Sequence, residues 1–267
     1  MKFPFRIYSA QELQNEYERL RCQPEFELKR TLLGYKCSNA FFQKERMQAS
    51  SLTKLSGVKY WKKNESYIID YCKNSGKKDL FNAVQFLNHT PAQFPPSVAA
   101  YIYSYFQATH VLDPFAGWGD RCLAAMALDI DYIGIDSNID LKKAYSSMVK
   151  FYPHNSQVKM IYKPVEKINL DNLEFDFVFS SPPFWEPSGH LSETYKHMPC
   201  TELDMFVDMF VDLIGQCLSR GAWCCFYMSE FMAKSIPVKW NKKLRYTGAG
   251  NKKNQVYFIY CYAPTLT

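Results

Sequence analysis

The sequence predicts an α/β protein: a doubly wound, mostly parallel seven-stranded sheet with an antiparallel C-terminal hairpin, preceded by a mainly helical N-terminal module. Three observations carry this. Beyond about residue 110, short apolar runs alternate with longer helical stretches, the order that builds a parallel sheet with helices on both faces. A turn containing Gly117 and Gly119 joins the first apolar run to the helix after it. The last two runs are linked by Gly248-Ala-Gly-Asn-Lys-Lys-Asn254, which reads as a hairpin connection.

The elements follow in order. Residues 9–31 read as a helix, with Ser9 as N-cap and Glu12 three residues on, the spacing of a capping box. Residues 39–55 and 64–72 are further helices with Gly57 and Gly76 as breaks, and 79–90 is helical again. The segment Thr90-Pro91-Ala-Gln-Phe94-Pro95-Pro96-Ser97 interrupts the pattern, and Ser97 is expected to cap an aromatic helix from Val98 to Phe106. A strand ending at Asp113 comes next, then the glycine turn and a helix from Arg121 to Leu128. Strand 131–136, helix 138–151, strand 157–162 and strand 175–180 continue the alternation. Ser181-Pro182-Pro183-Phe184 must end the last of these, because neither proline can donate to a sheet ladder and each restricts the residue before it. Helix 201–219, capped by Thr201 with Asp204 in its first turn, leads to strand 222–228 and a short helix near 230–235. Strands 243–247 and 255–262 close the chain.

The chain's 267 residues hold one large α/β domain and a small module, divided here as 1–90 and 91–267. No run approaches the ~18 apolar residues of a membrane span, and Met1-Lys-Phe-Pro-Phe-Arg lacks the apolar core of a secretory signal. The nine cysteines form no CxxC pair, as expected of free thiols in a reducing cytoplasm or nucleus. His197 and Cys200 have a metal-like spacing without two further partners, so no metal is expected. Charge is uneven: residues 1–90 carry sixteen Lys+Arg against nine Asp+Glu, whereas the rest carry sixteen against seventeen. Clusters such as Lys59-Tyr60-Trp61-Lys62-Lys63 interleave cations with rings, which suits a polyanion surface with base-stacking capacity and also suits a solvated face.

Asp113, Asp136 and Ser181 each fall at the carboxyl end of a strand, where ligands bind in such sheets. Gly117 and Gly119 let a ligand approach the backbone, and Asp136 is placed to accept from a ribose diol. Cys122 stands where the dinucleotide fingerprint has its third glycine, which disfavours NAD.

Together these segments resemble the class I, Rossmann-like S-adenosylmethionine-dependent amino-methyltransferases of nucleic-acid bases, over roughly residues 92 to 264. Asp113-Pro114-Phe115-Ala116-Gly117-Trp118-Gly119 is similar to that family's cofactor loop, and Ser181-Pro182-Pro183-Phe184 to its [DNS]-P-P-[YFW] catalytic motif. The resemblance implies S-adenosyl-L-methionine as cofactor and transfer to adenine N6 or cytosine N4. It places Asp136 at the ribose, with Ser137 and Ser180 among the cofactor-binding residues; Glu166 reads as an acceptor for the cofactor adenine amino group or as a solvated loop acid. Phe94 and Pro95 are the candidates to fold over the methionine end. Ser181 and the Pro182 carbonyl would accept from the target amine, and Phe184 would stack on its ring. Trp185, Tyr195, Lys196, Lys62 and Lys63 are the candidate substrate contacts, and the polar stretch Glu186 to Pro199 is expected to form a lid. Strands five to seven use nearly all the residues after the motif, so no separate target-recognition domain is expected and the basic N-terminal module must recognise the target. This leans to RNA over DNA. A homodimer or heterodimer is left open. The competing readings are an inactive, nucleic-acid-binding copy, and a methyltransferase of a protein or small-molecule amine.

Overall fold

A computed structural model describes residues 2–50, 54–76, 79–88, 90–185, 188, 191, 202–247 and 256–264. Ser9 opens α1 (Ala10–Arg21) with the expected capping box, its hydroxyl accepting from the Glu12 amide while the Glu12 carboxylate accepts from its own. The helix ends at Arg21 rather than running to 31, because Pro24 cannot continue it and pushes Gln23 out of helical space. Helix α2 spans Tyr35–Gln48 and α3 Gly57–Asn74. Gly57, expected as a break, is instead the first residue of α3, capped by the Ser56 hydroxyl. A non-helical backbone at Asn64 (φ −126°, ψ 24°) interrupts the periodicity of α3, which is why its first half did not read as helix. Helix α4 covers Leu80–Asn88.

Helix α5 (Pro96–Tyr105) begins one residue before the expected cap. Pro96 needs no amide partner in the first turn, and Ser97 is buried inside the helix, accepting from the Thr31 hydroxyl at 2.9 Å.

The sheet strands are β1 (His110–Asp113), β2 (Asp131–Ile135), β3 (Val158–Ile161), β4 (Phe177–Ser180), β5 (Trp223–Tyr227), β6 (Lys242–Thr247) and β7 (Val256–Tyr262), in the order β3-β2-β1-β4-β5-β7-β6. Strands β1 to β5 pair in parallel, and β7 runs antiparallel to β5 and β6, as the sequence predicts. The direction of growth reverses between β1 and β4, which opens a crevice at the carboxyl edge. Helices α6 (Asp120–Ala127) and α7 (Lys142–Phe151) follow β1 and β2, and α8 (Leu203–Ser219) and α9 (Glu230–Ser235) flank β5. The N-cap of α8 is Glu202, with no side-chain capping bond; Thr201 lies outside the described residues.

The period-two alternation of each strand divides the core into two layers. Val111, Phe177, Phe179, Cys225 and Cys261 face α5, α6 and α7, whereas Leu112, Val178, Cys224, Phe226 and Tyr262 face α8 and α9. The adjacent Cys224 and Cys225 thus serve opposite layers. Helices α1 and α2 extend the first layer: Tyr17 stacks on Tyr152 at 4.5 Å, Phe42 meets Tyr145 edge-on at 4.8 Å, and Arg21 pairs with Asp129 at 2.7 Å. Trp61, Ile68 and Cys72 of α3 pack with Ala83 and Val84 of α4 as a separate small cluster. Eight cysteines are described; all are free thiols, and only Cys22 among them is exposed.

Candidate active site

The loop after β1 is held from below by a buried ion pair. Asp113 is fully buried and accepts from Arg121 Nε at 2.7 Å and Nη2 at 3.2 Å, from Tyr132 Oη at 2.7 Å and from Ser180 Oγ at 2.6 Å. Burial opposes charge on Arg121, but the Asp113 carboxylate beside it wins and raises its pKa. The same guanidinium donates to the carbonyls of Phe115 and Ala116, and Ser180 Oγ accepts from the Phe115 amide at 3.0 Å. Four strand-end and helix residues therefore fix the path of residues 114–117 before any ligand arrives.

Above that support, Gly117 takes a left-handed backbone (φ +61°) and donates its amide to Asp136 Oδ2 at 2.8 Å. Asp136 Oδ1 accepts from the Asn138 amide, also at 2.8 Å. Each carboxylate oxygen keeps a further lone pair for a ligand hydroxyl. Asp136 is half-buried in the lining of a cavity, and burial raises its pKa to about 6, against the pull of the two amides.

That cavity, of about 710 Å³, runs along the carboxyl edge of the sheet. The structure brings together most of the expected site. Pro114, Phe115, Ala116 and Gly117 line it, with Asp136, Ser137 and Glu166. Phe94 and Pro95 line it too. Ser181, Pro182, Pro183 and Phe184 line it where β4 stops, and Phe184 meets Tyr227 edge-on at 5.4 Å.

Other expected contacts lie elsewhere. Asp113 and Ser180 sit behind the loop as its support and do not line the cavity. Gly119 (φ +76°) is not in the wall either: a Cβ there would overlap the Phe42 ring, so its lack of a side chain serves the seating of α2 on α6. Arg121 lines the cavity but is committed to buried Asp113. Trp185 is 2% exposed and packs on Phe206 at 5.9 Å, in the α8 layer rather than in the cavity. Lys62 and Lys63 are exposed on α3, away from the cavity. Tyr195, Lys196 and the expected lid, apart from residues 188 and 191, lie outside the described residues, as do His197 and Cys200.

Several lining residues were not foreseen. Gln93 donates to Ser38 Oγ at 2.9 Å and to Asp120 at 3.1 Å, and burial raises the Asp120 carboxylate to about pKa 6 despite these bonds. Tyr246 and Tyr257 are register partners on β6 and β7 and stack at 5.1 Å, while Tyr227 lies 6.0 Å from Tyr257. Arg30 joins them from the segment between α1 and α2. The alternation of the hairpin strands was a usable signal for the tyrosines. Nothing local marked Arg30.

Among the described residues no helix is long and apolar enough to cross a membrane, and no group of three or more His, Cys, Asp or Glu could hold a metal ion. No family model matches the sequence, and no curated protein matches it. Comparison with solved structures finds distant resemblances. A tRNA (uracil-54, C5)-methyltransferase of Pyrococcus abyssi, in complex with S-adenosyl-L-homocysteine, is 12% identical over 62% of this chain and 38% of its own, with a TM-score of 0.38. An rRNA methylase of Streptococcus thermophilus is 11% identical over 65% of this chain and 98% of its own, at 0.42. NSun6 of Pyrococcus horikoshii, with SFG, is 16% identical over 67% and 53%, also at 0.42. This chain spans well under half of the first protein's length. At such distances the chemistry of the cavity has to be read from its own residues.

Proposed function

We propose that this protein transfers a methyl group from S-adenosyl-L-methionine to an exocyclic amino nitrogen of a nucleic-acid base, adenine N6 or cytosine N4, with RNA the favoured substrate. The observation that carries this is the opening of the Ser181–Phe184 corner and the Gly117–Asp136 pair onto one cavity.

The residues present fit the cofactor. The cavity volume lies in the range of small-molecule sites. Gly117 presents bare backbone to it, since a Cβ there would meet nothing nearer than the Phe115 carbonyl at 3.8 Å. Asp136 would accept from the ribose hydroxyls, Glu166 from the adenine amino group, and Phe94 and Pro95 would flank the methionine end. When bound, the cofactor supplies a methyl group on a sulfonium, a strong electrophile.

The chain's own work is alignment. An exocyclic amine is a poor nucleophile because its lone pair is delocalised into the ring. Ser181 Oγ and the Pro182 carbonyl accept from its two N–H groups, which draws the nitrogen toward tetrahedral geometry and turns its lone pair out of the ring plane. The successive prolines hold those acceptors in a rigid turn, and Phe184 offers a stacking face to the base. Orientation of this kind, rather than a strong base, supplies the acceleration. The new N–C bond would replace the S–C bond, a neutral thioether would leave, and the methylated nitrogen would release its extra proton to water. Incubation with methyl-labelled cofactor and separate RNA, DNA and protein pools tests the reading. Label is expected in nucleic acid; label confined to protein would contradict it.

A further inference from the structure

The cavity extends past the Ser181–Phe184 corner to a half-buried cation. Arg30 lines it, donating from Nε to Tyr35 Oη at 2.9 Å and from Nη1 to Tyr257 Oη at 3.4 Å, with its guanidinium 5.9 Å from the Tyr257 ring centre. Its backbone amide donates to the Thr247 carbonyl, pinning it to the end of β6. These side-chain partners are phenols, and burial raises the Tyr35 pKa above the ordinary phenol value, which keeps it neutral. Among the described residues no carboxylate pairs with Arg30. A guanidinium has five N–H donors, and removing it from water without an anion is unfavourable. Such a group inside a ligand cavity is a ready anion site.

Its place along the sheet selects which anion. Asp136 follows β2, four strands from β7, or about 19 Å at the usual strand spacing. The Ser181 corner follows β4, only two strands from β7, or about 10 Å. Phe184, Tyr227, Tyr246 and Tyr257 form a run of rings from the corner to the cation, with Tyr257 accepting from Arg30; Glu45 and Asp120 also line the cavity. We infer that Arg30 and the hairpin tyrosines form a subsite for the backbone phosphate flanking the target base, with the rings packing against the nucleoside between phosphate and corner. The inference rests on the proposed function and names the feature of nucleic acid that the site reads: charge on the backbone beside the target.

The test is binding and kinetics of Arg30→Gln and Arg30→Lys in the full chain, with a mixed-sequence single-stranded RNA as probe. Arg245→Gln, which removes an exposed charge of β6 outside the cavity, is the control. Arg30→Gln is expected to weaken RNA binding and raise KM about tenfold, with a smaller effect on kcat. It should also lower the salt slope of log Kd by about 1. Arg30→Lys should keep most of that slope, showing that the site folds, and Arg245→Gln should leave KM near wild type. Unchanged RNA affinity in Arg30→Gln would overturn the assignment. So would a matching loss of S-adenosylmethionine affinity, which would give Arg30 to the cofactor carboxylate instead. Failure of the wild-type protein to bind RNA or DNA would remove the nucleic-acid reading itself, an outcome distinct from either.

Discussion

Asp136 combines two demands that pull against each other. Its depth in the cavity raises its pKa from 3.8 to about 6, while the Gly117 and Asn138 amides favour the ionised form. A ribose diol donates to the carboxylate and not to the acid, so cofactor affinity should fall as pH drops through about 6, approaching one decade per unit. Stability has the opposite sign. A carboxyl group with a raised folded-state pKa contributes stability below its unfolded value near 3.8, and that contribution is lost as pH rises through about 6. Calorimetric titration with S-adenosylmethionine between pH 5 and 8 (about the working range of such assays) should show the affinity trend. In Asp136→Asn the affinity should be lower and the trend flat; a wild-type affinity independent of pH would remove Asp136 from the ribose. That this residue lines the cavity was legible because it closes an apolar strand. Asp113 closes one too, and from sequence the two look alike. Only the distant Arg121, Tyr132 and Ser180 side chains reveal that Asp113 is support rather than surface.

At the level of elements, the same distinction separates the two glycines of the loop. Both have positive φ, but Gly117 faces open space whereas Gly119 abuts the Phe42 ring. Gly117→Ala should cost about 1–2 kcal/mol from backbone strain alone. Gly119→Ala adds overpacking of about 1–3 kcal/mol. Thermal unfolding should rank the two variants in that order, and equal melting temperatures would mean that α2 does not seat on α6 as described. The Ser181–Phe184 corner makes a different demand: in the proposed function it acts on the substrate and not on the fold of the loop. Pro182→Ala and Phe184→Ala should cut turnover by about 10²-fold while leaving cofactor affinity within a few-fold. Equal loss of both would give these residues a structural role. Strands and their order were readable because period-two apolar runs and their punctuation are local. Helix ends were less so: Ser97 has the chemistry of a cap, yet Pro96 starts α5 a residue earlier and leaves Ser97 buried against Thr31.

Across the whole molecule, the edge of the cavity is assembled from segments far apart in sequence. The loop after β1, the corner after β4, the C-terminal hairpin and Arg30 meet along one cavity. Such convergence is carried by topology, so the sequence disclosed the loop and the corner through their glycines and prolines but left Arg30 unmarked. The basic excess of residues 1–90 remains an expectation of polyanion contact; among its described cations only Arg30 lines the cavity. The central claim is that the corner presents an amino nitrogen for methylation. Nucleoside mass spectrometry of RNA and DNA treated with the protein and methyl-labelled S-adenosylmethionine tests it most directly. The predicted product is N6-methyladenosine or N4-methylcytidine, or the matching deoxynucleoside, absent with Phe184→Ala. Label on a ring carbon or a ribose oxygen would contradict it.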